Sequence, residues 1–310
     1  MSNIIAVIWD FDRTLVDGYM QDPIFRKYGV ESNAFWDDVN RLPAKYREEG
    51  VLVNPDTIYL NAFIHEAQPG GRFAGLNNQI LREFGKEQKF YNGVPEIFRE
   101  TKDLVANDPA CAEYGIRVEH YIVSTGFAQV IQGSEVAKYV DGVWGCHLIE
   151  NTLTDGRRVI SEIGYTIDNT TKTRAIFEIN KGVNKAAPGD NLNVNTSIPE
   201  EKRRVHMNNM IYIADGPSDV PAFSVVHRGG GATFAIYPRG DAAALRQVEQ
   251  MRKDERVDMY AEADYSDGTT ANMWIRNKIT EMADRIRQSE HDRLTASLSG
   301  TPHHLHAGTA

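Results

Sequence analysis

Ile4-Ile5-Ala6-Val7-Ile8-Trp9 runs directly into Asp10-Phe11-Asp12-Arg13-Thr14-Leu15. The first six residues are apolar, largely β-branched and free of Gly and Pro, so they read as a central strand of a parallel sheet, buried on both faces. Such a strand delivers Asp10 at its carboxyl end. Residues two apart in an extended chain share a side, so Asp10 and Asp12 would face one crevice. Two carboxylates at that spacing repel, and a divalent cation is the usual compensation. The alternative is an Asp-rich turn in which Asp12 merely caps the next segment of chain.

Working outward, Arg117–Val123 followed by Ser124-Thr125-Gly126, and Met210–Ala214 followed by Asp215-Gly216, have the same form of apolar strand and polar exit. Ala232–Tyr237 and Val257–Ala261 are further strand candidates. Helical patterns at 95–106, 241–253 and 269–287 alternate with them, as a parallel α/β sheet requires. About a hundred residues separate the first two strands, far more than one crossover helix needs, so an inserted module is expected. Its pattern over 16–87 is helical, with Phe35, Trp36 and Val39 on one face and Ile58, Phe63 and Ile64 on another. His147–Leu153 and Arg157–Ile163 flank Asp155-Gly156, a type I′ hairpin signal. Residues 182–204, rich in Asn, Pro and Lys, read as a long surface loop or a partly disordered insertion.

Three segments bear on the Asp10–Asp12 pair. Ser124-Thr125-Gly126 offers a hydroxyl and backbone N–H groups, the neutral donors that a phosphate oxygen needs, although such turns are also ordinary strand exits. In Asp215-Gly216-Pro217-Ser218-Asp219 the Gly-Pro step reads as helix entry, which places Asp219 one turn into that helix; acidic residues are favoured at helix starts on any account. Lys172 stands just ahead of the helical pattern at 175–179, where a lysine is commonly solvated. Lys181 is its rival, but falls at the far end of that helix.

Composition narrows the function. Across 310 residues, 41% are hydrophobic and 25% charged, values of a globular protein with room for about two folded units. Thirty-four basic and forty-three acidic residues give a net charge of −9, which opposes nucleic acid and anionic membranes as partners. The longest apolar runs are too short to cross a bilayer, and no charged-then-apolar leader precedes Ile4. Cys111 and Cys146 form no CxxC or Cys/His cluster, so a reduced, cytoplasmic protein is expected. Four of the nine histidines lie in the last twenty residues, where a disordered tail over 291–310 is expected rather than a metal site.

Taken in order, the segments around Asp10, Ser124, Lys172 and Asp215 resemble the four motifs of the haloacid dehalogenase superfamily of phosphohydrolases, from residue 4 to about 226. The resemblance implies an α/β fold: a doubly wound (Rossmann-like), mainly parallel sheet with an inserted α-helical cap domain. The core would comprise 1–15 and 88–290, the cap 16–87. It implies Asp10 as nucleophile, Asp12 as general acid/base, and Ser124, Thr125, Gly126 and Lys172 around the substrate phosphate. It further implies Mg²⁺ held by Asp10, the backbone carbonyl of Asp12, Asp215 and, less directly, Asp219. The dehalogenase branch lacks the second aspartate, so Asp12 favours a phosphatase or phosphotransferase.

The closest local pattern is that of the phosphoserine phosphatases, in Val123-Ser124-Thr125-Gly126-Phe127 and Gly93-Val94-Pro95-Glu96. Where that family has an acidic residue for the substrate amine, this chain has Tyr19-Met20-Gln21, and Ala214 and Pro217-Ser218 also depart from the pattern. The expected substrate is therefore another small phosphorylated metabolite. Arg13 and Asp17 lie beside the nucleophile, with substrate contact and solvent-facing roles both open. Transfer of the aspartyl phosphate to an alcohol shares every motif residue, and a phosphoacceptor switch shares the aspartates, hydroxyl and lysine. Absence of GxGxxG and of GxxxxGK[ST] argues against nucleotide-cofactor binding. Oligomeric state has no sequence signal here.

Overall fold

A computed structural model describes residues 2–187 and 190–298. The apolar run forms β1 (Ile4–Trp9), every residue of it buried. It pairs in parallel with β2 (Arg117–Phe127) on one side, Trp9 opposite Ile122, and with β5 (Met210–Ala214) on the other, Trp9 opposite Ile213. With β3 (Gly142–Thr152), β4 (Arg158–Tyr165), β6 (Ala232–Tyr237) and β7 (Met259–Glu262) the sheet has the order β4-β3-β2-β1-β5-β6-β7. Only the β3–β4 pair is antiparallel. The chain therefore leaves β1 toward one edge and returns to its other side at β5. The carboxyl end of β1 is a switch point of strand order, where doubly wound sheets open a crevice.

Six helices lie between β1 and β2, and the first four form the helical segment that follows Asp10–Leu15: α1 (Asp22–Tyr28), α2 (Ser32–Glu48), α3 (Ile58–Ala67) and α4 (Asn78–Gly85). Phe25, Phe35, Phe63 and Phe73 pack into one aromatic cluster, with Phe63 and Phe73 stacked at 4.8 Å. Phe127, the last residue of β2, enters that cluster edge-on to Phe63 at 5.1 Å. The helical segment thus shares one buried apolar cluster with the sheet. Transfer of several such rings out of water, at about 25 cal/mol per Å² of apolar area, is what seats the helices on the strand ends.

The remaining helices are α5 (Glu96–Ala106), α6 (Pro109–Glu113), α7 (Ala128–Gly133), α8 (Lys172–Lys181), α9 (Val220–Arg228), α10 (Ala242–Lys253) and α11 (Thr270–Leu298). Helix α5 packs on α11, and α8 on α9.

Four expectations change. Ser124, Thr125 and Gly126 continue β2 as strand rather than forming a turn after it. The hairpin at Asp155-Gly156 is not type I′, which needs positive φ at both central residues. Only Gly156 is left-handed, at φ 85°, while Gly156 N–H bonds to Leu153 C=O and Leu153 N–H to Arg157 C=O. That is a three-residue loop with glycine in the left-handed position. Helix α11 carries the chain through 291–298, so the expected tail begins as helix; its remainder lies outside the described residues. Asp219 precedes α9 instead of standing one turn inside it, because Pro217–Asp219 forms a separate 3₁₀ turn. Residues 182–204 are largely irregular, as expected, with 3₁₀ turns at Val183–Lys185 and Glu200–Lys202.

Candidate active site

The end of β1 places Asp10 beside the end of β5, and its backbone N–H bonds to Ile213 C=O at 2.9 Å. Asp215 follows β5 directly, and the 3₁₀ turn after it brings Asp219 back beneath the pair. Lys172, the first residue of α8, reaches across from the other side. Its Nζ lies 2.9 Å from Asp10 Oδ1 and 2.7 Å from Asp219 Oδ1, and all three side chains are buried. Asp219 also accepts hydrogen bonds from Tyr212 Oη at 2.5 Å and Ser218 Oγ at 2.8 Å. Every oxygen of that carboxylate is thereby held, as a buried charge requires.

Asp12 is half-buried and its Oδ1 accepts the Met20 N–H at 2.7 Å. The bond closes a compact turn over 13–20, in which Arg13 N–H bonds to Gly18 C=O. Arg13 itself adopts φ 55°, a left-handed conformation costly for a side-chain-bearing residue. Its guanidinium compensates by bridging Asp215, at 3.5 Å, and Asp241, at 3.0 Å, the residue that caps α10.

Above these residues, between the strand ends and α2–α3, is a cavity of about 440 Å³. Asp10, Asp12, Lys172 and Asp215 line its floor, and Thr125 and Gly126 one wall. Ser124 does not line it: the side chain is buried, with its Oγ accepting the Gly126 N–H at 3.0 Å. Asp17 is exposed and stands outside the cavity. The Lys181 ammonium is remote from the cluster, bonded to the Val194 and Thr196 carbonyls at 2.5 and 2.7 Å.

The floor carries surplus negative charge. Burial raises the Asp10 carboxyl to about 6, against the opposing pull of Lys172 and with Asp219 adding to the rise. Burial, then Asp10 and Asp219, raise Asp215 to about 7. Asp12 is pushed well above the usual carboxylate range by burial and by Asp10. For Lys172, burial would favour the neutral amine, but the Asp10 and Asp219 carboxylates outweigh it and keep it charged.

The chain matches no family model. A Borreliella burgdorferi protein, described only as uncharacterized, is 35% identical over 291 residues, covering 89% of this chain and 97% of its own. The two belong to one family. Among solved structures, a HAD family hydrolase from Salmonella enterica serovar Typhi aligns with 84% of this chain and 67% of its own, at TM-score 0.50 and 13% identity. The chain has the haloacid dehalogenase fold. A phosphoserine phosphatase solved as a phospho-aspartyl intermediate analogue aligns with 83% of this chain and 92% of its own, at TM-score 0.47 and 16% identity.

Within this haloacid dehalogenase fold, Asp10, Asp215 and Asp219 each bring a carboxylate oxygen within 4.8 Å of the others. The donors are all oxygen, and Lys172 together with an Arg13 shared with Asp241 offsets their three charges only in part, which suits a hard divalent cation such as Mg²⁺. The Asp12 carboxylate is not one of that cluster. Gln21, Asn40 and Asp56, which line the upper cavity, were not legible as site residues, because they are scattered over a loop, a helix and a turn with no shared spacing. Of the aromatic residues in this region, Tyr19, Trp36 and Tyr59 reach the cavity, whereas Phe35 is buried in the aromatic cluster. Tyr59 Oη also ties α3 to the sheet by donating to Thr125 C=O at 2.6 Å.

Proposed function

We propose that the protein is a Mg²⁺-dependent phosphohydrolase that cleaves a small phosphomonoester through an aspartyl phosphate on Asp10. The observation carrying this reading is the buried Lys172 ammonium between Asp10 and Asp219, beneath a cavity of metabolite size. Such a lysine holds Asp10 in place and ionised, and offers positive charge to an incoming phosphate. When bound, Mg²⁺ at Asp10, Asp215 and the Asp12 carbonyl, with Asp219 in support, supplies the further charge that lets an anionic nucleophile approach a phosphate dianion.

In the first step a carboxylate oxygen of Asp10 bonds to phosphorus as the bond to the leaving oxygen breaks, and Asp12 gives that oxygen its proton. The raised affinity of Asp12 for a proton suits it to this task. In the second step a water oxygen bonds to phosphorus, the Asp10–phosphorus bond breaks, and Asp12 takes the proton from water. The Thr125 and Gly126 wall would face the phosphoryl oxygens, with Ser124 supporting that wall through its bond to Gly126. The helices of residues 16–87 would act as the cap that excludes water and contacts the leaving group.

The test is hydrolysis of p-nitrophenyl phosphate. Activity is expected with Mg²⁺ and is expected to vanish in Asp10→Asn. Full activity in that variant, or in excess chelator, overturns the proposal.

A further inference from the structure

The upper cavity is far from neutral in its preferences. Arg13 and Lys172 are the only cations lining it among the described residues, and both are engaged by carboxylates. Asp56, half-buried at the cap end, makes no ion pair among those residues. A second anionic group on the substrate would meet Asp12 and Asp56 with no cation to spare, an arrangement that rejects it.

The neutral residues there favour something else. Gln21 is almost fully buried, lines the cavity, and its side-chain oxygen has no hydrogen-bond partner. Buried polar atoms are normally satisfied, so an orphan beside a cavity is one that a ligand or water completes. On α2, Trp36 and Asn40 stand four residues apart on the same helix face and line the same space. The cap end therefore combines an unpaired carboxylate, two carboxamides and the side of an indole ring. Hydroxyl groups can give protons to Asp56, Gln21 and Asn40 and accept them from the amides, while a C–H face covers the indole.

We infer that the leaving group is an uncharged, hydroxyl-rich alcohol, so that the substrate is the phosphomonoester of a polyol or sugar. This inference rests on the phosphohydrolase reading. Asp56 and Gln21 set the preference by accepting hydroxyl protons, and the lack of a free cation excludes phosphorylated acids.

The experiment compares substrates that differ only by CH₂OH against carboxylate: glycerol 3-phosphate with 3-phosphoglycerate, and sorbitol 6-phosphate with 6-phosphogluconate. Phosphoethanolamine and p-nitrophenyl phosphate serve as further arms. The alcohol of each pair is expected to have a kcat/KM at least about tenfold higher, since unpaired polar groups discriminate strongly. Asp56→Ala and Gln21→Leu should raise KM for the polyol esters more than they lower kcat, and Asp56→Ala should narrow the gap to the acids. An acid turned over as well as its alcohol overturns the inference alone. Preference for phosphoethanolamine over glycerol 3-phosphate overturns it in favour of an amine. No turnover of any ester, p-nitrophenyl phosphate included, overturns the phosphohydrolase reading and this inference with it.

Discussion

Lys172 Nζ and Asp219 Oδ1, 2.7 Å apart and buried, join the start of α8 to the turn before α9, and the same ammonium reaches Asp10. Two chain segments that approach the site from different directions are thus locked by one charge. Breaking a buried pair by removing one partner typically costs about 3–5 kcal/mol, because the other is left uncompensated.

Lys172→Met is therefore expected to lower unfolding stability by an amount of that order and to reduce turnover of p-nitrophenyl phosphate by about a hundredfold or more, the scale of losing one preorganised charge. Lys181→Met should leave turnover unchanged, since its ammonium serves loop carbonyls. Urea unfolding and steady-state kinetics on both variants check this. Equal effects from the two lysines would contradict the assignment.

Gly126 and Met20 make a second coupled pair. A Cβ at Gly126 would fall 2.3 Å from Met20 Cε and 2.4 Å from its sulfur. Met20 also holds Asp12 through its N–H and accepts the Phe127 N–H on its sulfur at 3.0 Å. Because the clash is with the end of a flexible side chain, Gly126→Ala should cost only about 1–2 kcal/mol of stability. Its effect on kcat/KM should be larger, by displacing the 17–21 segment. Adding Met20→Ala should recover part of that loss, and a double-mutant cycle reads the coupling. Strict additivity would show that the two sites act independently.

Beneath the sheet ends, adjacent residues of β2 tie stability to pH. His120 is buried, accepting the Trp9 indole N–H on Nδ1 at 3.1 Å and meeting Thr101 Oγ1 through Nε2 at 2.9 Å. Thr101 donates its proton to Ile97 C=O, so Nε2 is the protonated nitrogen and the ring is neutral. Burial, with Lys102 adding to it, lowers His120 to about 3 from an ordinary 6.5. For Glu119, burial would raise the carboxyl, but Arg204, Tyr121 and Arg117 outweigh it and bring it to about 2 from 4.5. Both folded values lie below the unfolded ones. Each group's contribution is complete above its unfolded value and is lost as pH falls toward the folded one, from 6.5 toward 3 for His120 and from 4.5 toward 2 for Glu119. His120→Gln should flatten the decline of stability between pH 6.5 and 4, measured by urea unfolding at each pH against the parent. A parallel decline in both proteins would contradict the neutral-ring assignment.

Much of the core was legible because its signals are local. The β1 run from Ile4 to Trp9 is continuous and apolar, and Asp10 and Asp215 fall directly at strand ends. The 3₁₀ turn at 217–219 was not legible, because the Gly-Pro step signals a helix start without fixing whether the first turn is α or 3₁₀. Nor was the extension of β2 through Thr125 and Gly126, residues with the composition of a turn: the pairing with β3 shifts register across them, between Val123 opposite Trp144 and Phe127 opposite Cys146. Arg13 was ambiguous for the same reason: its left-handed backbone and its bridge to Asp215 and Asp241 depend on contacts far away in the chain. Gln21, Asn40 and Asp56 come from a loop, a helix and a turn of the helical segment and meet at one cavity only in the folded chain.

The central claim is that Asp10 carries the phosphoryl group between substrate and water. Enzyme turning over p-nitrophenyl phosphate with Mg²⁺ can be quenched rapidly and reduced with borohydride, which converts a phosphorylated aspartate to homoserine that peptide mass spectrometry locates. The account predicts homoserine at position 10 and none in Asp10→Asn. Turnover that leaves Asp10 unmodified, or modification at another carboxylate, would contradict it.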